Sequence, residues 1–449
     1  MDQRARAGDC VAAAGGLAVA KAVGIGMLGA GNVGGGVVAA LRNASERYAQ
    51  TVGRELELRS VLVRDASRER AGLDSSVVTT DFERLIGSDV QIVVELLGGE
   101  DPAHEYIRRS LEAGKHVVTA NKEVMAKHGA ELLGVAAAHG VRLFYEASVG
   151  GGIPIISPLS RDLLANEITA VTAIINGTTN FMLTEMASGE VDYHDVLAEA
   201  QRLGYAEPDP TADVEGIDAA YKLAILCGLA FGLEVSPEAI DREGISGLTT
   251  NDFAYANELG YTIKLLATGR VENGSLMASV RPTLIAHSEP LAKVDGVLNA
   301  VQIEGDLVGR VLFEGPGAGP APTASAVLAD VLELARDYVF ADRELAPLAT
   351  LSAAKVLAAE SHRSRYYIRL TVPDRPGVLA QIAGALGQRD VSIASMIQLE
   401  ADESAGTAEL VLTTHVAEGG ALRAALEQVK QAGVVQRVGN VLPIAGGAG

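Results

Sequence analysis

The segment Glu207–Lys222, EPDPTADVEGIDAAYK, gathers five carboxylates around a single lysine. Asp218 and Lys222 stand four residues apart, so on a helix they share one face. Between Ile217 and Gly232 they are the only charges, set among Ala, Leu, Ile, Cys and Phe. A helix that is apolar all round is buried, and a lysine buried without a partner carries a large desolvation penalty. Such a lysine can protonate a carbonyl oxygen as hydride reaches its carbon, with Asp218 holding it in place and charged. Pro208, Asp209 and Pro210 make a stiff loop that sets Glu207 and Asp213 at the same cleft, where carboxylates suit an ammonium-bearing substrate. The plainer alternative is an i,i+4 surface pair worth a few tenths of a kcal/mol.

A second cluster lies near the N-terminus. Gly29, Gly31 and Gly34 form GAGNVG, with Asn32 and Val33 between them, after the strand-like VGIGML and before the helical VVAALRNA. In a first βαβ unit this spacing serves a dinucleotide: a tight turn, close backbone approach to pyrophosphate, and tight helix–strand packing at a helix N-terminus. In a chain with 50 glycines the motif alone is weak, and its alternative is an ordinary turn. The second strand ends in VLVRD, with Arg64 ahead of Asp65. An arginine there accommodates a 2′-phosphate, which favours NADP over NAD.

These groups need a scaffold, and the pattern supplies one. Strand-like runs (VGIGML, ELRSVLVRD, VQIVVELLGG, KHVVTAN) alternate with helical ones such as AHEYIRRSLEAG and AELLGVAAAHG. That alternation predicts an α/β fold, with a Rossmann-like domain over 21–150 that the glycine turn and long helix of 316–345 complete. An α+β substrate and dimerisation domain is expected over 151–315, with EITAVTAIINGTTNFML read as a strand of its sheet. Residues 346–364 read as a linker. Residues 365–449 follow a βαββαβ order, a small ferredoxin-like domain.

Composition narrows the classes. A net charge of −20 argues against nucleic-acid binding, and no apolar run reaches the roughly 20 residues of a membrane-spanning helix. Two separated cysteines, Cys10 and Cys227, make no disulfide framework, so a reducing, cytoplasmic setting is expected. Cys227, inside the apolar helix, reads as inert core, which disfavours thiolate catalysis. Residues 1–20 read as a disordered extension, or the product of a start codon placed too early, rather than a signal peptide. YEASVGGGIPII offers one acid and a glycine run at the domain junction. It suits a hard cation held by oxygen ligands, or equally a flexible hinge.

GYAEPDPTADVEGIDAAYK resembles the signature of homoserine dehydrogenases, which reduce aspartate 4-semialdehyde to homoserine. NGTTNFML, TANKEVMA and GPGAGPAPTASAVLADV resemble the same family, over about residues 22 to 345. The resemblance implies Lys222 as proton donor, Glu207 and Asp218 as substrate ligands, and Asp213 as support for the lysine and its loop. It places Lys122 at the boundary of cofactor and substrate, and Gly319 against the cofactor. It implies a monovalent cation, sodium, held by the Glu146 side chain and the carbonyls of Val149, Gly151 and Ile153. The chain departs from the family in its N-terminal extension and in the glycine-rich GNVGGG, which leaves the phosphate contacts open.

YYIRLTVPDRPGVLAQIAGAL resembles the opening of an ACT domain, a paired amino-acid-binding module. Its helix start after PDRPGVL can hold a ligand carboxylate. The resemblance implies threonine as effector around Asp374 and Gly377, and a homodimer or homotetramer. The expected activity is thus NAD(P)H-dependent reduction of an amino-acid aldehyde within threonine, methionine and isoleucine biosynthesis. Two rivals stand beside it: another amino-acid oxidoreductase on the same scaffold, and a non-catalytic sensor that has no need of Lys222.

Overall fold

A computed structural model describes residues 21–189, 191–272, 274–339, 352–398 and 406–445. The N-terminal extension with Cys10, residues 340–345 and the first part of the expected linker lie outside those ranges.

The first sheet is parallel, in the order β3-β2-β1-β4-β5-β6. Its strands are β1 (Val23–Leu28), β2 (Leu56–Leu62), β3 (Val78–Thr79), β4 (Ile92–Glu95), β5 (His116–Thr119) and β6 (Leu143–Phe144). All six residues of β1 are buried, as a central strand covered on both faces requires. Among the helices that connect them, three bear on the site: α1 (Asn32–Asn43), α2 (Ala103–Glu112) and α3 (Lys122–Ala138). The Asn121 side chain caps α3 by accepting from the Val124 N–H, so Lys122 opens that helix. The strand order reverses between β1 and β4, and a ligand crevice belongs outside the carboxyl ends of those strands.

The second domain adds β7 (Ile168–Ile174), α4 (Gly177–Gly189), α5 (Ile217–Phe231), α6 (Thr250–Glu258), β8 (Tyr261–Glu272), β9 (Ser275–Ala286), β10 (Leu298–Gly305) and β11 (Gly309–Pro316). The stretch NGTTNFML is therefore helix, not strand. Asn176 turns the chain: its Oδ1 accepts from the Thr179 N–H at 2.9 Å, and Met182, Leu183 and Met186 then face the core at helical spacing. The long helix α7 (Pro320–Val339) returns to the first domain, burying Val327, Val331 and Leu334 against the core under β1. Gly36 explains one of the additional glycines of GNVGGG, because a Cβ there would stand 3.0 Å from the Pro320 carbonyl.

The C-terminal module has β12 (Arg363–Pro373), α8 (Val378–Gly387), β13 (Ile393–Gln398), β14 (Thr407–Thr414), α9 (Gly419–Gln431) and β15 (Arg437–Ile444). Its sheet order β15-β12-β14-β13 is ferredoxin-like, and β15 pairs with β9, so the two sheets run on as one. The described part of the linker is docked: Ser352–Ala353 pairs with Leu233–Glu234, and Leu357 N–H donates to the Leu276 carbonyl. A buried polar knot joins module to substrate domain. Asp252 on α6 accepts from Asn440 Nδ2 at 2.6 Å and from Tyr367 Oη at 3.4 Å. Arg369 Nε lies 2.9 Å from Asp252 Oδ1 as an ion pair, although it is not aligned as a hydrogen bond. No described helix is long and apolar enough to cross a membrane.

Candidate active site

A cavity of about 300 Å³ opens at the strand reversal. Val33 of the glycine turn, Leu96–Gly98 after β4, Asn121–Lys122 at the start of α3, Lys222 of α5, and Gly317–Ala318 before α7 line it. The turn has the form its sequence requires. Gly29 sits at φ +95°, and a Cβ there would meet the Leu96 carbonyl at 2.8 Å. A Cβ on Gly34 would meet the Gly29 carbonyl, also at 2.8 Å, while one on Gly31 would meet nothing within 4 Å. No side chain caps α1. The second glycine thus faces open space at a bare helix N-terminus, the setting in which a pyrophosphate is held. These residues fit a nicotinamide dinucleotide. At Gly151 a Cβ would stand 2.2 Å from the Gly317 carbonyl, so the junction turn and the α7 turn meet backbone to backbone. Gly319, at φ +118°, shapes that same turn.

Asp218 lies on the opposite wall, with its side chain 6% exposed. Lys222 Nζ donates to Asp218 Oδ2 at 2.7 Å and to the Ile175 carbonyl at 2.8 Å. Lys122 Nζ reaches Asp218 Oδ1 at 2.5 Å from the first domain. One buried carboxylate therefore holds two ammonium groups. Burial pushes the Asp218 carboxyl up, but Lys222 and Lys122 outweigh it, so its pKa is depressed and it stays ionised. For Lys122 burial works downward, and Asp218 reverses it to a raised pKa.

Asn176 joins the ring: its Nδ2 donates to Asp213 Oδ1 at 2.7 Å and to Asp218 Oδ2 at 3.0 Å. Burial raises the Asp213 carboxyl despite that hydrogen bond. The sequence reading did not assign Asn176 a role, although its helix-capping position after β7 was a usable signal. Glu95, the last residue of β4, was also passed over. It is fully buried, accepting from Thr119 Oγ1 at 2.5 Å and the Leu97 N–H at 2.6 Å, and so anchors the Leu96–Leu97 segment that lines the cleft.

Other expected residues fall elsewhere. Glu207 is exposed on its turn, and its carbonyl accepts from Gln201. Arg64 is exposed just past β2, whereas Asp65 is engaged locally by Ser67, whose N–H and Oγ lie at 2.9 and 2.6 Å. Glu146 is buried, and its carboxylate accepts from the N–H groups of Ile155, Ile156 and Ser157 at 2.6–2.8 Å. It caps the helical turn that follows. Asp374 and Gly377 stand exposed at the start of α8, which no side chain caps. Cys227 is fully buried, and burial pushes its thiol up to about 12, so it offers no nucleophile. A larger cavity of about 500 Å³ lies beside Tyr145 and Asp330, away from the lysine pair.

A dinucleotide turn facing a lysine–carboxylate ring, with hydride-accepting space between them, defines a nicotinamide-dependent oxidoreductase. Comparison with known proteins carries this further. The model of the homoserine dehydrogenase NAD-binding domain matches residues 29–146, that of homoserine dehydrogenase residues 154–332, and that of the ACT domain residues 366–434. The homoserine dehydrogenase of Neisseria gonorrhoeae is 44% identical over 88% of this chain and 92% of its own. A crystal structure of a homoserine dehydrogenase from Thiobacillus denitrificans superposes with a TM-score of 0.89 at 42% identity, covering 94% of this chain and 98% of that one. A hyperthermophilic archaeal homoserine dehydrogenase in complex with NADPH gives 0.60 at 29% identity, over 73% of this chain and all of that one. The chain belongs to the homoserine dehydrogenase family.

Proposed function

We propose that the protein reduces L-aspartate 4-semialdehyde to L-homoserine, with NADPH preferred over NADH. The observation that carries this reading is the single buried carboxylate of Asp218 shared by two lysines beside the dinucleotide cleft. A bound nicotinamide supplies the hydride to the aldehyde carbon. An ammonium has three N–H donors. Lys222 directs two of them at Asp218 and the Ile175 carbonyl, leaving the third for the aldehyde oxygen, to which the proton passes as the alkoxide forms. Lys122, the more exposed of the pair, binds the substrate carboxylate. Asp213 and Asn176 fix the ring, and Asp218 accepts the substrate ammonium.

The exposed Arg64 beside a locally engaged Asp65 supports NADPH, since a 2′-phosphate needs the cation and a ribose hydroxyl needs a free acid. A monovalent cation, sodium, belongs to the same reading, at the carbonyls of Val149, Gly151 and Ile153. Glu146 has three amides on its side chain, so it shapes this turn more than it neutralises an ion. Threonine at the uncapped start of α8, near Asp374 and Gly377, would act as feedback effector, with the chain assembled as a homodimer or homotetramer.

The test is NADPH oxidation with aspartate 4-semialdehyde, comparing wild type with Lys222→Ala. Loss of the general acid is expected to cost about a hundredfold or more in kcat. Undiminished turnover in the variant would remove Lys222 from the chemistry, and no turnover by wild type with either nucleotide would remove the substrate.

A further inference from the structure

The surface between α2 and α3 carries a cluster that the oxidoreductase chemistry does not use. His104 lies in the first turn of α2, and His128 and Glu131 lie one turn apart on α3. The two imidazoles stack, with centroids 4.0 Å apart and planes 21° apart. His104 Nε2 is 3.2 Å from Glu131 Oε2, and His128 Nδ1 is 3.9 Å from the same oxygen. One ligand atom from each residue lies within 4.8 Å of the others. Metal–ligand bonds of about 2.0–2.1 Å in a tetrahedron put neighbouring ligand atoms roughly 3.3 Å apart. The two spacings to Glu131 bracket that value, and all three ligand atoms lie close enough for one ion once the stacked rings turn toward it.

An independent feature points the same way. On its far side His128 Nε2 is 2.7 Å from Glu100 Oε1, and Glu100 is itself held by Lys127 at 2.7 Å. Ligation through Nδ1 needs the ring proton on Nε2, and the Glu100 carboxylate stands where it would accept that proton's hydrogen bond. A carboxylate on the outer nitrogen of an imidazole is the usual support of a metal-ligating histidine.

We infer that His104 Nε2, His128 Nδ1 and Glu131 Oε2 form a binding site for a divalent transition-metal ion of the zinc class, with Glu100 orienting His128. Imidazole nitrogens select such an ion over magnesium or calcium, which favour all-oxygen sets. The ion ties α2 to α3, the helix that begins at Lys122, and Glu100 follows the Gly98–Gly99 turn at the cleft. The site is structural: it braces one wall of the active site and touches no reacting atom.

The test uses the full-length protein stripped with EDTA. Zn²⁺ is titrated calorimetrically, and Co²⁺ is added to follow its visible ligand-field absorption. One equivalent is expected to bind, with tetrahedral Co²⁺ bands and a raised melting temperature. His104→Ala and His128→Gln are each expected to weaken binding at least about tenfold, and Glu100→Gln about 10- to 100-fold. All three should keep the metal-free basal rate, which also reports that they fold. Absence of a stoichiometric site in wild type, or equal binding by wild type and His104→Ala, would overturn the inference. If Glu100→Gln bound as wild type does, the orienting role of that carboxylate would fall.

Discussion

Replacing Asp218 with Asn changes one oxygen to an amide and keeps the shape of the side chain. It removes the charge that two ammonium groups share at 2.5 and 2.7 Å. With an effective dielectric of about 20, attraction at 2.7 Å is about 6 kcal/mol before desolvation is counted. Most of that is offset in the intact protein, but removing one partner leaves the other buried and uncompensated, at about 3–5 kcal/mol. Lys222, 12% exposed, carries nearly all of this cost; Lys122, 44% exposed, is screened by water and adds little. The expected stability loss is therefore about 3 kcal/mol, at the lower end of that range. Catalysis should suffer more, because the donor loses both its orientation and its counter-charge: about a hundredfold or more in kcat. There is a pH signature as well. Burial lowers Lys122 and Asp218 supplies most of what raises it; without Asp218 only the weaker pull of Asp213 and Glu123 opposes burial, and the alkaline limb of the rate profile moves to lower pH. The assay is NADPH oxidation from pH 6 to 10, with melting curves on the same samples. A variant within about threefold of wild type, with an unmoved alkaline limb, would refute the shared-carboxylate argument.

Two further outcomes follow from buried charges away from the lysine pair. Burial raises the Asp330 carboxyl well above its ordinary range, while its Oδ2 accepts from the Glu146 N–H. A raised folded-state pKa means this group's stabilisation is complete below about pH 4 and is lost as pH rises through the folded value. Asp330→Asn, which can still accept that hydrogen bond, should match wild type near pH 4 and exceed it at pH 8 by about 1–3 kcal/mol; a variant less stable at every pH would contradict this. Arg369→Ala should leave the fully buried Asp252 without its cation, at about 3–5 kcal/mol. It should loosen the C-terminal module to limited proteolysis and blunt any amino-acid effector response, and unchanged proteolysis together with an unchanged response would count against the knot as the coupling element.

Much of the site was legible because its signals are local. GAGNVG between a strand and a helix, and Asp218 four residues before Lys222 on an apolar helix, are patterns of period and spacing that need no partner from elsewhere. The alternation that implied a parallel sheet, and the βαββαβ order at the C-terminus, are local in the same sense. NGTTNFML misled the strand reading because it follows without a break on the apolar AVTAII, which runs through the end of β7, and is too short to show a helical period by itself; the Asn176 cap decides it.

The sequence by itself settled which groups are chemically able and which share a helix face: the glycine turn, the paired Asp218 and Lys222, and an inert Cys227. Only tertiary structure brought Lys122 to Asp218 across 96 positions, set Asn176 between two carboxylates, and left Glu207 in solvent. It also committed the Glu146 carboxylate to three backbone amides and stacked His104 on His128. The physical reason is range. Backbone periodicity fixes the direction of a side chain within a few residues of itself, whereas a buried charge takes its partner from whichever element the packed core sets within hydrogen-bond reach.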